Sequence, residues 1–234
     1  MKILLINPNS TASMTKKAYV AAKRVARLDT EIIAVTSQNG PSSIEGYFDV
    51  AMCQAALLQE AAKYDDVDAV IIACFDDTGL DAMRCLFDGP VVGIGEAAYH
   101  AASIVSSKFS VVTTLSRSVA GISDNLSRYG LMKKCASVRA TDIPVLKLEE
   151  QDPSSIDLIR AEISAALTKD DAEAIVLGCA GMADLMEQLS DEFAVPVIDG
   201  VVSAVGLVEG LVAAGLKTSK FKSYKTSFQK YKKT

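Results

Sequence analysis

Apolar positions along the chain follow two alternating rhythms. Short β-branched runs, too brief for helices, are each followed by a segment with apolar residues every three or four positions. Lys2–Asn7, Glu31–Thr36, Val67–Cys74 and Val91–Ile94 read as strands. The intervening patterns predict helices from a Ser10 or Thr11 cap to about Leu28, over Asp49–Tyr64, over Thr78–Phe87 with Thr78 as N-cap, and over Glu96–Ser107. Ser37–Tyr47, with Gly40-Pro41 and Gly46, reads as a loop long enough to help cover a site. The order then repeats. Strands are expected at Phe109–Thr113, Ser137–Thr141, Ala174–Cys179 and Val197–Ile198. Helices are expected at Ser116–Tyr129 (closed by Gly130), Pro153–Leu167, Met182–Glu192 and Val201–Ala214 (closed by Gly215). Strict strand–helix alternation predicts an α/β fold with mainly parallel sheets flanked by helices.

The repeat has a register. Cys74 and Cys179 each end a buried-strand run, and Ala69–Cys74 superimposes on Ala174–Cys179. Lys2–Pro8 parallels Lys108–Thr114, Glu31–Thr36 parallels Ala136–Thr141, and Pro90-Val-Val parallels Pro196-Val-Ile at nearly the same offset. A constant offset over four strands predicts two pseudo-symmetric lobes with a cleft between them. The first lobe is expected to comprise residues 1–98 plus about 205–234, with the Glu96–Ser107 helix as the crossing point. Residues 99–204 form the second.

That repetition gives the two cysteines a chemical reading. One thiolate on each side of a planar intermediate could remove a proton from carbon and return one to the opposite face. A buried cysteine is ordinarily a small inert hydrophobe. This is the reading for Cys53, Cys85 and Cys135, which have no counterpart in the repeat. A pair at matching strand ends is harder to explain so. A thiol beside backbone N–H groups at a helix start is also expected to ionise more readily. The stretch Asn7-Pro-Asn-Ser-Thr11 and its counterpart Thr113-Thr114 offer amides and hydroxyls for carbonyl groups of a substrate. Capping by Asn9 or Ser10 is the competing role.

Composition narrows the classes. The 234 residues are 50% hydrophobic and 23% charged, enough for a sizeable core. The net charge is −5, although residues 217–234 hold seven lysines and no acid. The remainder is therefore more acidic than the total, which argues against nucleic acid as a partner. The apolar run Ile3–Ile6 is too short for a signal peptide. Val201–Leu216 is too short for a membrane span and carries Glu209. Five cysteines without C-x-x-C predict free thiols in a reducing cytoplasm. With His100 as the single histidine, a His-rich metal site is excluded, and no nucleophile elbow accompanies it. Gly93-Ile-Gly95-Glu-Ala-Ala98 fits the relaxed dinucleotide pattern, but Thr113-Thr114 end the next strand where an acid is required. In the basic tail Phe221, Tyr224, Phe228 and Tyr231 are spaced to share a helix face, expected to dock on an acidic neighbouring subunit.

The chain resembles the aspartate/glutamate racemase superfamily, and within it the hydantoin and allantoin racemase branch. The resemblance lies in Ile6-Asn-Pro-Asn-Ser-Thr11, Gly40-Pro-Ser-Ser-Ile-Glu45, Ala73-Cys-Phe-Asp-Asp-Thr-Gly-Leu-Asp-Ala82, Pro90-Val-Val-Gly-Ile-Gly-Glu-Ala97, Leu177-Gly-Cys-Ala-Gly-Met182 and Gly215-Leu-Lys-Thr-Ser-Lys220. It implies racemisation without cofactor or metal, with Cys74 and Cys179 as acid and base. It implies a homo-oligomer, tetramer or hexamer. It implies that the substrate's ring is held near Phe75-Asp76 and Ala180-Gly181, together with Asn9, Ser10, Thr113 and Thr114. Amino-acid racemases of this superfamily place Asn-Thr and Thr after their cysteines to bind a carboxylate. Phe75-Asp76 and Ala180-Gly181 stand there instead, which suits a hydantoin ring. Many relatives read Phe-Gly-Asp-Pro-Gly where this chain has Phe75-Asp-Asp-Thr-Gly79, and this keeps allantoin in competition. A two-lobed binding protein without turnover, and a decarboxylase needing only one proton donor, are the remaining readings.

Overall fold

The computed structural model describes residues 1–150 and 152–225. The first sheet contains β1 (Lys2–Asn7), β2 (Glu31–Thr36), β3 (Ala69–Ile72) and β4 (Val91–Gly93), in the order β2-β1-β3-β4. The second contains β5 (Phe109–Thr113), β6 (Cys135–Ala140), β7 (Ala174–Leu177) and β8 (Val197–Ile198), in the order β6-β5-β7-β8. Every pairing is parallel. The two sheets thus repeat one topology. The inner strands β3, β5 and β7 are buried at every position. Helices cover both faces of a parallel sheet, so its strands carry continuous apolar runs.

The helices are α1 (Ala12–Val25), α2 (Tyr47–Ala61), α3 (Leu80–Leu86), α4 (Ile94–Val105), α5 (Val119–Arg128), α6 (Pro153–Lys169), α7 (Met186–Phe193) and α8 (Gly200–Ala213). Helix α4 follows the first sheet yet packs against β7 and β8. Helix α8 follows the second sheet yet packs against β3 and β4. The two helices also lie against each other, and a Cβ on Gly200 would come 2.4 Å from the Ile94 carbonyl oxygen. One apolar cluster accordingly runs through both sheets, from Ile3 and Ile71 through Tyr99 to Phe109, Val176 and Val205.

Several boundaries differ from the sequence expectation. Thr78 does not cap α3: Gly79, left-handed at φ 73°, holds that position, and the Thr78 hydroxyl turns to Cys74. Neither Ser10 nor Thr11 caps α1 through its side chain, and the helix ends at Val25. The pattern beginning at Met182 opens as a 3₁₀ turn over Ala180–Leu185 before α7. The tail's helix face falls on Phe228 and Tyr231, outside the described residues. The part up to Lys225 makes contacts with the first lobe. Lys220 Nζ donates to the carbonyls of Arg84 and Phe87 at 2.6 and 2.7 Å, where a cation complements a helix C-terminus. The Tyr224 hydroxyl donates to Asp81. No helix among the described residues is long and apolar enough to cross a membrane.

Candidate active site

Cys74 stands two residues beyond β3, and Cys179 two residues beyond β7. Both line one cavity of about 40 Å³ at the C-terminal ends of the two sheets. In open α/β sheets ligands bind at those ends. Asn9 enters the cavity wall from beyond β1, and Thr113 and Thr114 from β5 and the residue after it. Phe75, Asp76 and Ala180 complete the sequence-predicted lining. Two predicted residues lie outside it. The N–H and hydroxyl of Ser10 both go to the Pro41 carbonyl, at 2.8 and 3.2 Å. Gly181 turns its N–H to the Cys179 sulfur at 3.4 Å.

Six lining residues escaped sequence reading: Met14, Ile44, Ala73, Ser118, Val145 and Gly178. Five of these carry no pattern that distinguishes them from ordinary core or loop residues. Gly178 has a steric signal, since a Cβ there would meet the Thr113 side chain at 2.7 Å. Its carbonyl accepts the Thr113 hydroxyl at 3.1 Å.

The wall at β1 is stiffened by amides. Asn7 Nδ2 donates to Asn9 Oδ1 at 2.8 Å and to Thr15 Oγ1 at 3.1 Å, and Thr11 N–H donates to Asn9 Oδ1 at 2.9 Å. The capping role weighed for Asn9 is not taken up, since α1 has no side-chain cap and the Asn9 oxygen holds the turn before it, while its NH₂ faces Met14 Sδ at 3.5 Å.

The cysteine surroundings are unlike. Burial, and then the charge of Asp76, pushes the Cys74 thiol well above its ordinary value. The Thr78 hydroxyl, 3.6 Å from the sulfur, and the Asp76 backbone only partly oppose this. The expected helix-start lowering is therefore overturned at Cys74. At Cys179 a backbone N–H at the start of the 3₁₀ turn does reach the sulfur, a contact that favours a thiolate. Among the other cysteines, burial pushes Cys53 and Cys135 up to about 11.

The loop bearing Cys74 is held from behind. Asp77, at φ 51°, aims its carboxylate at the start of α4, taking N–H bonds from Gly95 at 2.9 Å and Glu96 at 2.8 Å and the Tyr129 hydroxyl at 2.8 Å. Burial nevertheless raises Asp77 to about 7. A Cβ on Gly93 would lie 1.9 Å from Asp77 Oδ1, and one on Gly95 would lie 2.4 Å from the Phe75 carbonyl oxygen. The Gly93-x-Gly95 pattern thus makes an anion cradle at a helix N-terminus, and the anion is the chain's own Asp77. Phe75 packs edge-on against Tyr99 at 5.3 Å.

Two parallel α/β lobes, each presenting a strand-end cysteine to one cavity, define a pseudo-symmetric racemase-type fold. The chain belongs to the Asp/Glu/Hydantoin racemase family, whose model matches residues 3–208, and it is a racemase. It is 49% identical to a hydantoin racemase of Rhizobium meliloti, over 96% of this chain and 94% of that one. It is 45% identical to a hydantoin racemase of Pseudomonas sp. (strain NS671), over 96% and 91%. An allantoin racemase structure from Klebsiella pneumoniae matches with TM-score 0.94 and 44% identity, covering 97% of this chain and 93% of that one.

Proposed function

We propose that the chain racemises 5-monosubstituted hydantoins at C5 through Cys74 and Cys179, with no cofactor. The observation that supports this reading is that the two sulfurs come from equivalent positions of two equivalent sheets and share one cavity. In one direction the Cys179 thiolate takes the C5 proton, and the electron pair moves onto the adjacent ring carbonyl as an enolate. The Cys74 thiol then gives its proton to the opposite face of C5. Charge passes from Cys179 to Cys74, and the reverse direction restores it. The Gly181 N–H suits Cys179 to be the resting thiolate, and the charge of Asp76 suits Cys74 to be the resting thiol. The hydroxyls of Thr114 and Ser118 reach the cavity without a hydrogen-bond partner among the described residues. Donors so placed can stabilise the enolate oxygen.

The test follows optical activity of enantiopure L- and D-5-isobutylhydantoin in D2O by circular dichroism, with deuterium at C5 followed by NMR. Wild type loses optical activity. Cys74→Ser and Cys179→Ser each lose roughly 10²–10⁴-fold in racemisation, the range of one general acid or base. Each variant retains exchange from one enantiomer, and the enantiomer differs between them. Absence of decay and exchange in wild type, on this substrate and on allantoin, rules the reading out.

We also propose a homo-oligomer. Its support is an exposed apolar groove lined by Ile104, Leu207, Leu211 and Leu216. Sedimentation of wild type and Ile104→Asp tests it: a monomeric wild type sinks the proposal.

A further inference from the structure

The two cysteines of the repeat carry the same contact by different means. Two residues beyond Cys179, the Gly181 N–H donates to the sulfur at 3.4 Å. The 3₁₀ turn Ala180–Leu185, which begins one residue after that cysteine, holds the N–H in place. Two residues beyond Cys74, the Asp76 backbone bears on the sulfur in the same way. No helical turn follows it directly. Asp77 and Gly79 are left-handed, at φ 51° and 73°, and α3 begins only at Leu80. The turn is closed by its own Asp77 N–H, which donates to the Cys74 carbonyl at 3.0 Å. Further support comes from the second lobe.

Three side chains at the C-terminal end of α5 reach across. Asn125 Nδ2 donates to the Asp76 carbonyl at 3.0 Å, the Tyr129 hydroxyl to the Asp77 carboxylate at 2.8 Å, and Arg128 to Asp81 at 2.5 Å. Their spacing of three and four puts them on one side of the helix end. The three bonds are not equivalent. Arg128 and Asp81 are both half-exposed, and such a pair contributes little. The Asp77 carboxylate that Tyr129 meets is also held by Gly95 and Glu96. Asn125 alone of the three takes the backbone of the turn, at the residue that bears on the sulfur. It does not line the cavity itself.

We infer that Asn125 is a positioning residue: through the Asp76 carbonyl it keeps the Asp76 N–H on the Cys74 sulfur and fixes that sulfur against the lobe that carries Cys179. This rests on the two-cysteine reading above. Cys74 becomes a thiolate when it gives its proton to C5. An N–H bond to a charged acceptor is stronger than one to a neutral acceptor. The contact therefore strengthens during the transfer and lowers its barrier. The two sulfurs must also face one ring carbon from opposite sides at near contact. The Asn125 bond ties the Cys74 turn to the other lobe and so keeps their separation.

The test compares kcat and KM for 5-isobutylhydantoin, together with Tm, in wild type, Asn125→Leu, Asn125→Ala and Arg128→Ala. Leucine keeps the volume of asparagine and removes the donor. Both Asn125 variants are expected to lose roughly 10- to 100-fold in kcat, the range for a misplaced reacting group, with KM within about twofold of wild type. Arg128→Ala loosens the same helix end and is expected to keep kcat within about twofold. The thiol is read independently. In Cys179→Ser, alkylation of Cys74 by iodoacetamide is followed against pH by peptide mass. Adding Asn125→Leu is expected to move its midpoint to higher pH, because the thiolate loses an N–H bond. The titratable groups facing Cys74 are Asp76 in its own turn and Cys53 on α2, and both are the same in the two proteins. A KM rise at unchanged kcat overturns the inference, as does an equal loss of kcat in Arg128→Ala, or a midpoint that stays or falls. A Tm loss above about 10 °C in both Asn125 variants also overturns it, since that is the mark of a folding residue. If wild type racemises neither this substrate nor allantoin, or if Cys74→Ser and Cys179→Ser keep wild-type rates, the two-cysteine reading has failed and this inference falls with it. Slow cysteine variants beside an unaffected Asn125→Leu overturn the inference alone.

Discussion

The two sulfur atoms occupy equivalent sites in the repeat and unlike sites in space. Their identity was legible in the sequence because a strand run followed by cysteine recurs at one offset. Their difference was not. It depends on Asp76 and Thr78 folding back on Cys74, and on α2 bringing Cys53 close behind. The asymmetry has a consequence for pH. The mechanism proposed above needs one thiol and one thiolate, so under it racemisation ends on the alkaline side when the pair loses its second proton. Cys74 holds its proton well above the ordinary 9.0, so the alkaline limb of kcat/KM is expected above pH 9. Removing the Asp76 charge removes one cause of the raised value. Asp76→Asn should therefore move that limb to lower pH, by the same amount for every substrate. A rate profile from pH 6 to 10.5 on 5-isobutylhydantoin checks the sign. A limb that stays in place, or moves up, contradicts the electrostatic account.

At the scale of elements, the glycines before α4 were legible as a pattern and misleading as a motif. Sequence can show that Gly93 and Gly95 flank a helix start. It cannot show that Asp77, sixteen residues earlier, supplies the anion, because that requires β3 and β4 to be neighbours. The bond replaces a local N-cap, since α4 has none of its own. Asp77→Ala is therefore expected to cost about 2 kcal/mol or more. It loses the cap and leaves buried N–H groups unpaired. Gly93→Ala forces a methyl onto Asp77 and is expected to cost about 1–3 kcal/mol. Helix α8 supplies the contrast. A Cβ on Gly206 meets nothing within 4 Å, and Gly206→Ala should stabilise by about 0.5–1 kcal/mol. Urea melts of the three variants check the order. A Gly93→Ala protein as stable as wild type would show that Asp77 does not sit in the cradle.

For the whole molecule, periodicity and repetition were enough to give two matched parallel sheets. Apolar helix faces do not name their partners, so the sequence carried a crossing at Glu96–Ser107 and a return near residue 205 only as an expectation, whereas the structure shows α4 on β7 and β8 and α8 on β3 and β4. The same limit hid how the cavity is closed. Residues 37–46 tie to the first lobe through Ser10 N–H on Pro41 and the Thr11 hydroxyl on Ser42. They reach the second lobe through Glu45, which takes Arg117 at 2.5 Å and the Val145 N–H at 3.1 Å. The Tyr47 hydroxyl donates to Asp124 at 2.9 Å beside them. These bonds hold Ile44 and Val145 over the cysteines. Arg117 is well exposed, and exposed pairs contribute only about 0–1 kcal/mol to folding. Arg117→Ala should therefore shift Tm by no more than about 3 °C. Closure over the substrate depends on that contact far more than folding does, because few other bonds join the loop to the second lobe. We expect KM to rise several-fold in Arg117→Ala, and a smaller rise in wild type on adding salt, which screens the pair. Tyr47→Phe should act in the same direction without the salt dependence. A KM that stays fixed while Tm drops by 10 °C would make Arg117 a folding residue and leave the loop with no part in holding substrate.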